Sequence, residues 1–120
     1  DNTDAVLPVE DGMFFVKSDY KYVRVSCQDI LYIEGLKDYV KMRLASSQRA
    51  VVSLVSMRTL ENTLPSTSFL RIHRSYIVNM KRVSMVDRNS VAIADFVLPI
   101  SDSYKDAVQK YVSEHAIQGR

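Results

Sequence analysis

From Met13 to Val55 short apolar runs, alternating with polar residues at 22–26 and 39–44, are broken by turn formers. That rhythm commits the stretch to short, mostly antiparallel strands. Asp11-Gly12 signals a turn, and strands are predicted at 13–17 and 22–26 around Asp19-Tyr20-Lys21. Val23, Val25 and Cys27 share one face of the second strand, and Tyr22, Arg24 and Ser26 share the other. Residues 30–33 form a third strand and 34–38 a polar link. In the next strand, 39–44, Val40, Met42 and Leu44 oppose Lys41 and Arg43. A Ser46-Ser47-Gln48 turn leads to a strand at 50–55.

The period then changes. Met57, Leu60 and Leu64 recur at helical spacing behind Ser56, a good N-cap, and Pro65 closes that helix. Residues 69–72 read as extended and 75–78 as one helical turn. Asp87-Arg88-Asn89 joins strands 83–86 and 90–93 as a hairpin, and 96–100 is extended again. Ser101 or Ser103 caps a last helix whose stripe is Tyr104, Val108, Tyr111 and Val112. The expected fold is mostly β: small antiparallel sheets with short helices, ending in a C-terminal helix. One domain spans 13–115, between an acidic lead-in at 1–12 and a polar tail at 116–120.

The net charge of +2 conceals an uneven distribution. Residues 1–11 hold four acids and no base, residues 12–88 thirteen bases against six acids, and residues 89–120 three bases against four acids. The body of the chain is therefore basic. No run approaches the roughly 18 apolar residues of a membrane helix, and no basic leader precedes an apolar stretch. The single cysteine, Cys27, excludes an internal disulfide or a multi-thiolate zinc site, in keeping with a reducing cytoplasm. Cys27 falls on the apolar face of its strand, as a small buried hydrophobe would.

Nothing in the chain assembles a catalytic group, a metal site or a cofactor site. His115 sits near a helix end, and His73 has only Ser75 close by in sequence, where the two side chains diverge. Phosphate-cradling glycine motifs and metalloprotease motifs are absent. Asp29, Glu34 and Asp38 read as a solvated strand end. The informative segment runs from Arg71 to Arg88, with five bases and one acid, interleaved with His73, Asn79 and Asn89. Arginine forks suit phosphates and guanine edges, and asparagine suits adenine. Lys37, Lys41, Arg43 and Arg49 form a second basic group. If both groups share a side, they make an electrostatic footprint for nucleic acid. The alternatives are a single-stranded nucleic-acid module, with Tyr20, Tyr22, Tyr32 or Tyr39 as stacking platforms, and a protein-interaction module. In the DNA reading these tyrosines mostly pack on sheet faces, and Asn79 holds its turn.

An ordered set of motifs goes further. Asp29-Ile30-Leu31-Tyr32-Ile33-Glu34 is followed by Asp38-Tyr39-Val40, then Leu60-Glu61-Asn62-Thr63-Leu64-Pro65. Next come the run Phe69-Leu70-Arg71-Ile72-His73-Arg74-Ser75-Tyr76-Ile77-Val78-Asn79 and finally Leu98-Pro99-Ile100-Ser101. In this order the chain resembles a LytTR-type DNA-binding domain, over about residues 15–111.

The resemblance implies sequence-specific duplex DNA binding as the transcription-regulating output domain of a bacterial two-component response regulator. Loops, not a recognition helix, would enter successive major grooves and bend the DNA. Base contacts would fall on Lys37 and Asp38, on His73 and Arg74, and on Ser103 beside Asp102. Phosphate contacts would fall on Lys41, Arg43, Arg71, Lys81, Arg82 and Lys105. Many relatives carry arginine just after the Leu-Pro-x-Ser serine, where this chain has Asp102-Ser103-Tyr104. Lys105 would compensate. The resemblance also implies that residues 1–12 end a linker from an upstream receiver domain. The full-length protein would dimerise on direct repeats and answer to a sensor histidine kinase.

Overall fold

The computed structural model describes residues 12–117 and 119. The expected linker end therefore lies almost wholly outside the described residues, as do Gln118 and Arg120 of the tail. Among the described residues, strands build three antiparallel sheets. The first is a hairpin of β1 (Met13–Ser18) and β2 (Lys21–Ser26). The central sheet holds β3 (Ile30–Gly35), β4 (Val40–Leu44), β5 (Val51–Ser53), β6 (Phe69–His73) and β7 (Tyr76–Asn79), in the order β5-β4-β3-β7-β6. The third holds β8 (Val83–Val86), β9 (Ser90–Ile93) and β10 (Phe96–Pro99), in the order β10-β9-β8. Helix α1 spans Met57–Thr63 and α2 spans Lys105–His115.

Alternation along the central strands feeds two cores. One face sends Ile33, Val40, Met42, Phe69 and Ile77 against Val16 and Val25 of the hairpin and Leu60 and Leu64 of the α1 segment. The other sends Tyr32, Ile72 and Val78 against Val91, Ile93 and Leu98 of the third sheet and Val108 of α2. Each fully buried Val or Ile contributes about 1.5–3 kcal/mol.

Three expectations are corrected here. Residues 75–78 are not a helical turn: β7 is a strand paired on both sides, with Ile77↔Ile33 and Ile77↔Arg71 as register partners. Its apolar run is continuous because both of its faces are buried, and such a run does not distinguish strand from helix. Glu34 and Gly35, placed in a link, extend β3. Neither Ser101 nor Ser103 caps the last helix with its side chain. Tyr104 holds the N-cap position, after a 3-10 turn at Asp102–Tyr104. The Ser101 N–H is instead drawn to Ile72 O at 3.0 Å, which pins this segment to β6. Ser56 does cap α1, accepting the Thr59 N–H at 3.0 Å.

Of the tyrosines expected on sheet faces, Tyr32 is buried, whereas Tyr20 is 95% and Tyr22 70% exposed. Tyr22 lies on the outward face of β2, and Tyr20 stands at the hairpin tip. Asp19 and Tyr20 have φ of 53° and 68°, the left-handed pair that a two-residue hairpin turn requires. A tyrosine there costs about 1 kcal/mol relative to glycine.

Asn79 ties the far end of the central sheet. Its buried amide donates to Ile30 O at 3.0 Å and to Cys27 O at 3.4 Å, and its Oδ1 accepts the Lys81 N–H at 3.1 Å. Asn79→Ala would strand these groups, and urea unfolding is expected to show a loss of about 2 kcal/mol or more. Burial holds the Cys27 thiol above its ordinary pKa, so it should resist alkylation at pH 8 until the chain unfolds.

Candidate nucleic-acid interface

Strand direction decides which charges meet. β3 and β6 finish, and β4 and β7 begin, at one end of the central sheet, where Gly35↔Val40, Glu34↔Tyr76 and His73↔Tyr76 are paired. Three connections emerge there: the β3–β4 loop, the β6–β7 turn, and the segment from Ser101 to Tyr104. They are joined through backbone. Gly35 N–H donates to Ser75 O at 2.7 Å, and the Ser101 bond to Ile72 secures the third. Leu36 N–H closes the first loop on Tyr39 O at 2.8 Å. Gly35 is required by close approach, since a β-carbon there would lie 2.7 Å from Met57 Cγ of α1.

At this end Lys37, Asp38, Arg74 and Ser103 are exposed, and His73 and Lys41 half-buried. Neither Lys37, Lys41 nor Arg74 is ion-paired among the described residues; the pairs are Arg71–Glu61 and Lys105–Asp102, both at 3.0 Å. His73 Nδ1 accepts the Ser75 N–H at 3.1 Å. In the neutral ring this bond leaves the proton on Nε2, which is then a donor. Next to it, Tyr76 lies with its ring centroid 5.4 Å from that of His73. Burial first, then the charge of Glu34 and neighbouring Tyr32, holds the Tyr76 phenol above its ordinary pKa, so it remains a proton donor at neutral pH.

Arg71 is committed inside the protein. Its guanidinium donates to Glu61, to Arg74 O and to His73 O, and lies 5.9 Å from the Tyr104 ring centroid. Only 17% of its side chain is exposed. One residue thus braces the β6–β7 turn against α1 and the Ser101–Tyr104 segment. Lys105, half-buried, also donates to Asn89 Oδ1 at 2.9 Å.

The remaining expected phosphate contacts lie elsewhere. Arg43 is near the opposite end of β4, with its Nη1 on Gln48 O at 3.0 Å and its guanidinium 5.7 Å from the Phe96 ring centroid. Lys81 and Arg82 follow the far end of β7, where Arg82 Nε donates to Gln28 O at 2.6 Å. The two basic groups therefore share a side only in part: Lys37, Lys41 and Arg74 are brought together, and Arg43, Lys81 and Arg82 are not. Arg88, counted in the basic run but assigned no contact, lies in the β8–β9 turn and lines a groove with Lys105 beside the Ser101–Tyr104 segment. Its place in the basic run was a signal, but its end of the molecule was not.

Among the described residues the scaffold is three antiparallel sheets with two short helices, and three of its connections meet at one end of the central sheet. The family profile of the LytTr DNA-binding domain matches residues 20–113, and the chain belongs to that family. LytTR domains generally bind DNA as response-regulator output domains. Over 110 residues the chain is 27% identical to the sensory transduction protein LytT of Bacillus cereus and to that of Bacillus anthracis. The match covers 87% of this chain and 40% of each relative, so the chain spans well under half their length. A solved LytTr DNA-binding domain from Bacillus cereus superposes with a TM-score of 0.73 at 20% identity, over 86% of this chain and 98% of that one, which shows a shared fold.

Arg71→Ala removes a charged brace. It is expected to cost about 2 kcal/mol in urea unfolding and to speed amide exchange at Gly35 and Ser75. Arg71→Lys should not rescue the exchange, because a single ammonium cannot span the same partners.

Proposed function

We propose that this domain reads duplex DNA sequence through the three joined loops, which enter successive major grooves on one side of a bent duplex. The observation that carries this reading is the exposed Arg74, without an ion-pair partner among the described residues, at the tip of a turn braced by Arg71, with Ser75 bonded to Gly35 and Ile72 of β6 bonded to Ser101. Bracing lowers the ordering cost of a base contact. Arg74 pairs with guanine O6 and N7, and the His73 Nε2–H donates to an acceptor beside it. Lys37 serves the β3–β4 loop, where Asp38 accepts from a cytosine amine, and Ser103 serves the third loop with a single short bond.

Lys41 and Lys105 hold phosphates, Lys105 exchanging its bond to Asp102 for one to DNA. The proposal makes Arg71 a positioning residue and assigns no contact to Arg43, Lys81 or Arg82. In the longer protein an upstream receiver domain, controlled by a sensor histidine kinase in the cytoplasm, would pair two such domains on direct repeats.

Duplex selection at two salt concentrations tests the reading. An enriched duplex is expected, with log affinity falling linearly against log salt. Arg74→Ala should cost about 1–3 kcal/mol and relax preference at one base pair. Absence of an enriched duplex, or intact preference in Arg74→Ala, sinks it. A greater loss in Tyr22→Ala than in Arg74→Ala would point to a single-strand binder instead.

A further inference from the structure

The β1–β2 hairpin lies outside the three loops but reaches the same end of the molecule. β2 runs from Lys21 to Ser26 and a 3-10 turn at Cys27–Asp29 leads into β3, while Tyr20 at the other end of the hairpin shares a groove with Tyr39 of the β3–β4 connection. The hairpin tip at Asp19 and Tyr20 is therefore carried toward the end where Gly35 and Arg74 sit. A groove of about 810 Å³ separates the hairpin from the central sheet, and Tyr20, Lys17 and Leu54 line it together with Tyr39, the residue that closes the β3–β4 loop. The tip is thus continuous with the proposed DNA surface.

Its chemistry is that of a sugar–phosphate track. Lys17 and Lys21 flank the tip, both exposed, and neither is ion-paired among the described residues. Tyr20 is 95% exposed at φ 68°, a backbone setting that glycine occupies freely. The ring gains almost no burial there, and such a strained, exposed residue points to a task outside the fold. Asp19 is the one acid of the tip, and short Asp tolerates its own φ of 53°.

We propose that the hairpin tip is a fourth contact to the duplex, one that reads no base. Lys17 and Lys21 bind phosphates on the flank beyond the β3–β4 loop, and Tyr20 lies against the adjoining sugar with its hydroxyl donating to phosphate. This rests on the duplex-binding reading above.

The test uses the 120-residue chain and its selected duplex, extended on both sides. Lys17→Gln/Lys21→Gln is compared with a charge-matched pair at the opposite end of the central sheet, Arg49→Gln in the β4–β5 connection with Lys81→Gln after β7. The tip pair should flatten the log affinity–log salt slope by about 1.8, near 0.9 per phosphate contact, leave base preference unchanged and shorten the hydroxyl-radical footprint on one flank. The far pair should leave slope and footprint near wild type. Tyr20→Gly should raise the melting temperature yet weaken binding severalfold. Wild-type slope and footprint in the tip pair, or an equal loss in the far pair, overturns the proposal. Neutral tip variants beside a defective Arg74→Ala defeat the fourth contact alone and leave the groove to a protein partner. A wild type that selects no duplex defeats both readings.

Discussion

Ile77 and Val78 are neighbours in the chain and are buried in different cores. β7 can do this only because it is paired on both edges, to β3 and to β6, with a packed layer over each face. The candidate interface inherits its geometry from that strand. Tyr76 is held opposite Glu34, Ser75 O takes the Gly35 N–H, and the Arg74 turn projects from the sheet end. A slip of one residue in this register would exchange the two cores and misplace the turn together with them.

The cations at this end of the sheet fall into two groups, those bonded within the protein and those left exposed. Arg71 is spent on internal hydrogen bonds, and Lys105 is held by Asp102 and Asn89. Lys37 and Arg74 are left exposed with no ion-pair partner among the described residues. Buried arginine bonds make a rigid turn, and exposed unpaired cations keep their charge available to phosphates. The third loop is the electrostatically ambiguous one, since Asp102 is 98% exposed there and would face phosphate.

Much of the fold was legible because most strands have one face on a core and so alternate. The hairpins β1–β2 and β8–β9, the capped α1 and the stripe of α2 all follow from local pattern. The reading failed at β7, where burial on both faces erases the alternation, and at the start of α2, where Ser101 answers to β6 rather than to its own helix. It also failed for Tyr20 and Tyr22, because alternation identifies a strand's two faces without saying which layer will cover them. Of the site, His73 and Arg74 were legible as a motif, but the commitment of Arg71 to Glu61 and the dispersal of Arg43, Lys81 and Arg82 were not.

What the sequence determined by itself was every strand except β7, the family to which their motifs belong, and a basic body hidden within a net charge of +2. The tertiary structure decided which of those charges act together. Lys37, Arg74 and Ser103 lie far apart in the chain and meet because β3 and β6 end on the same side of the sheet. Lys81 is much closer to Arg74 in sequence, yet β7 carries it to the other end. Strand direction is set by pairing between distant segments, and residue spacing along the chain does not encode it.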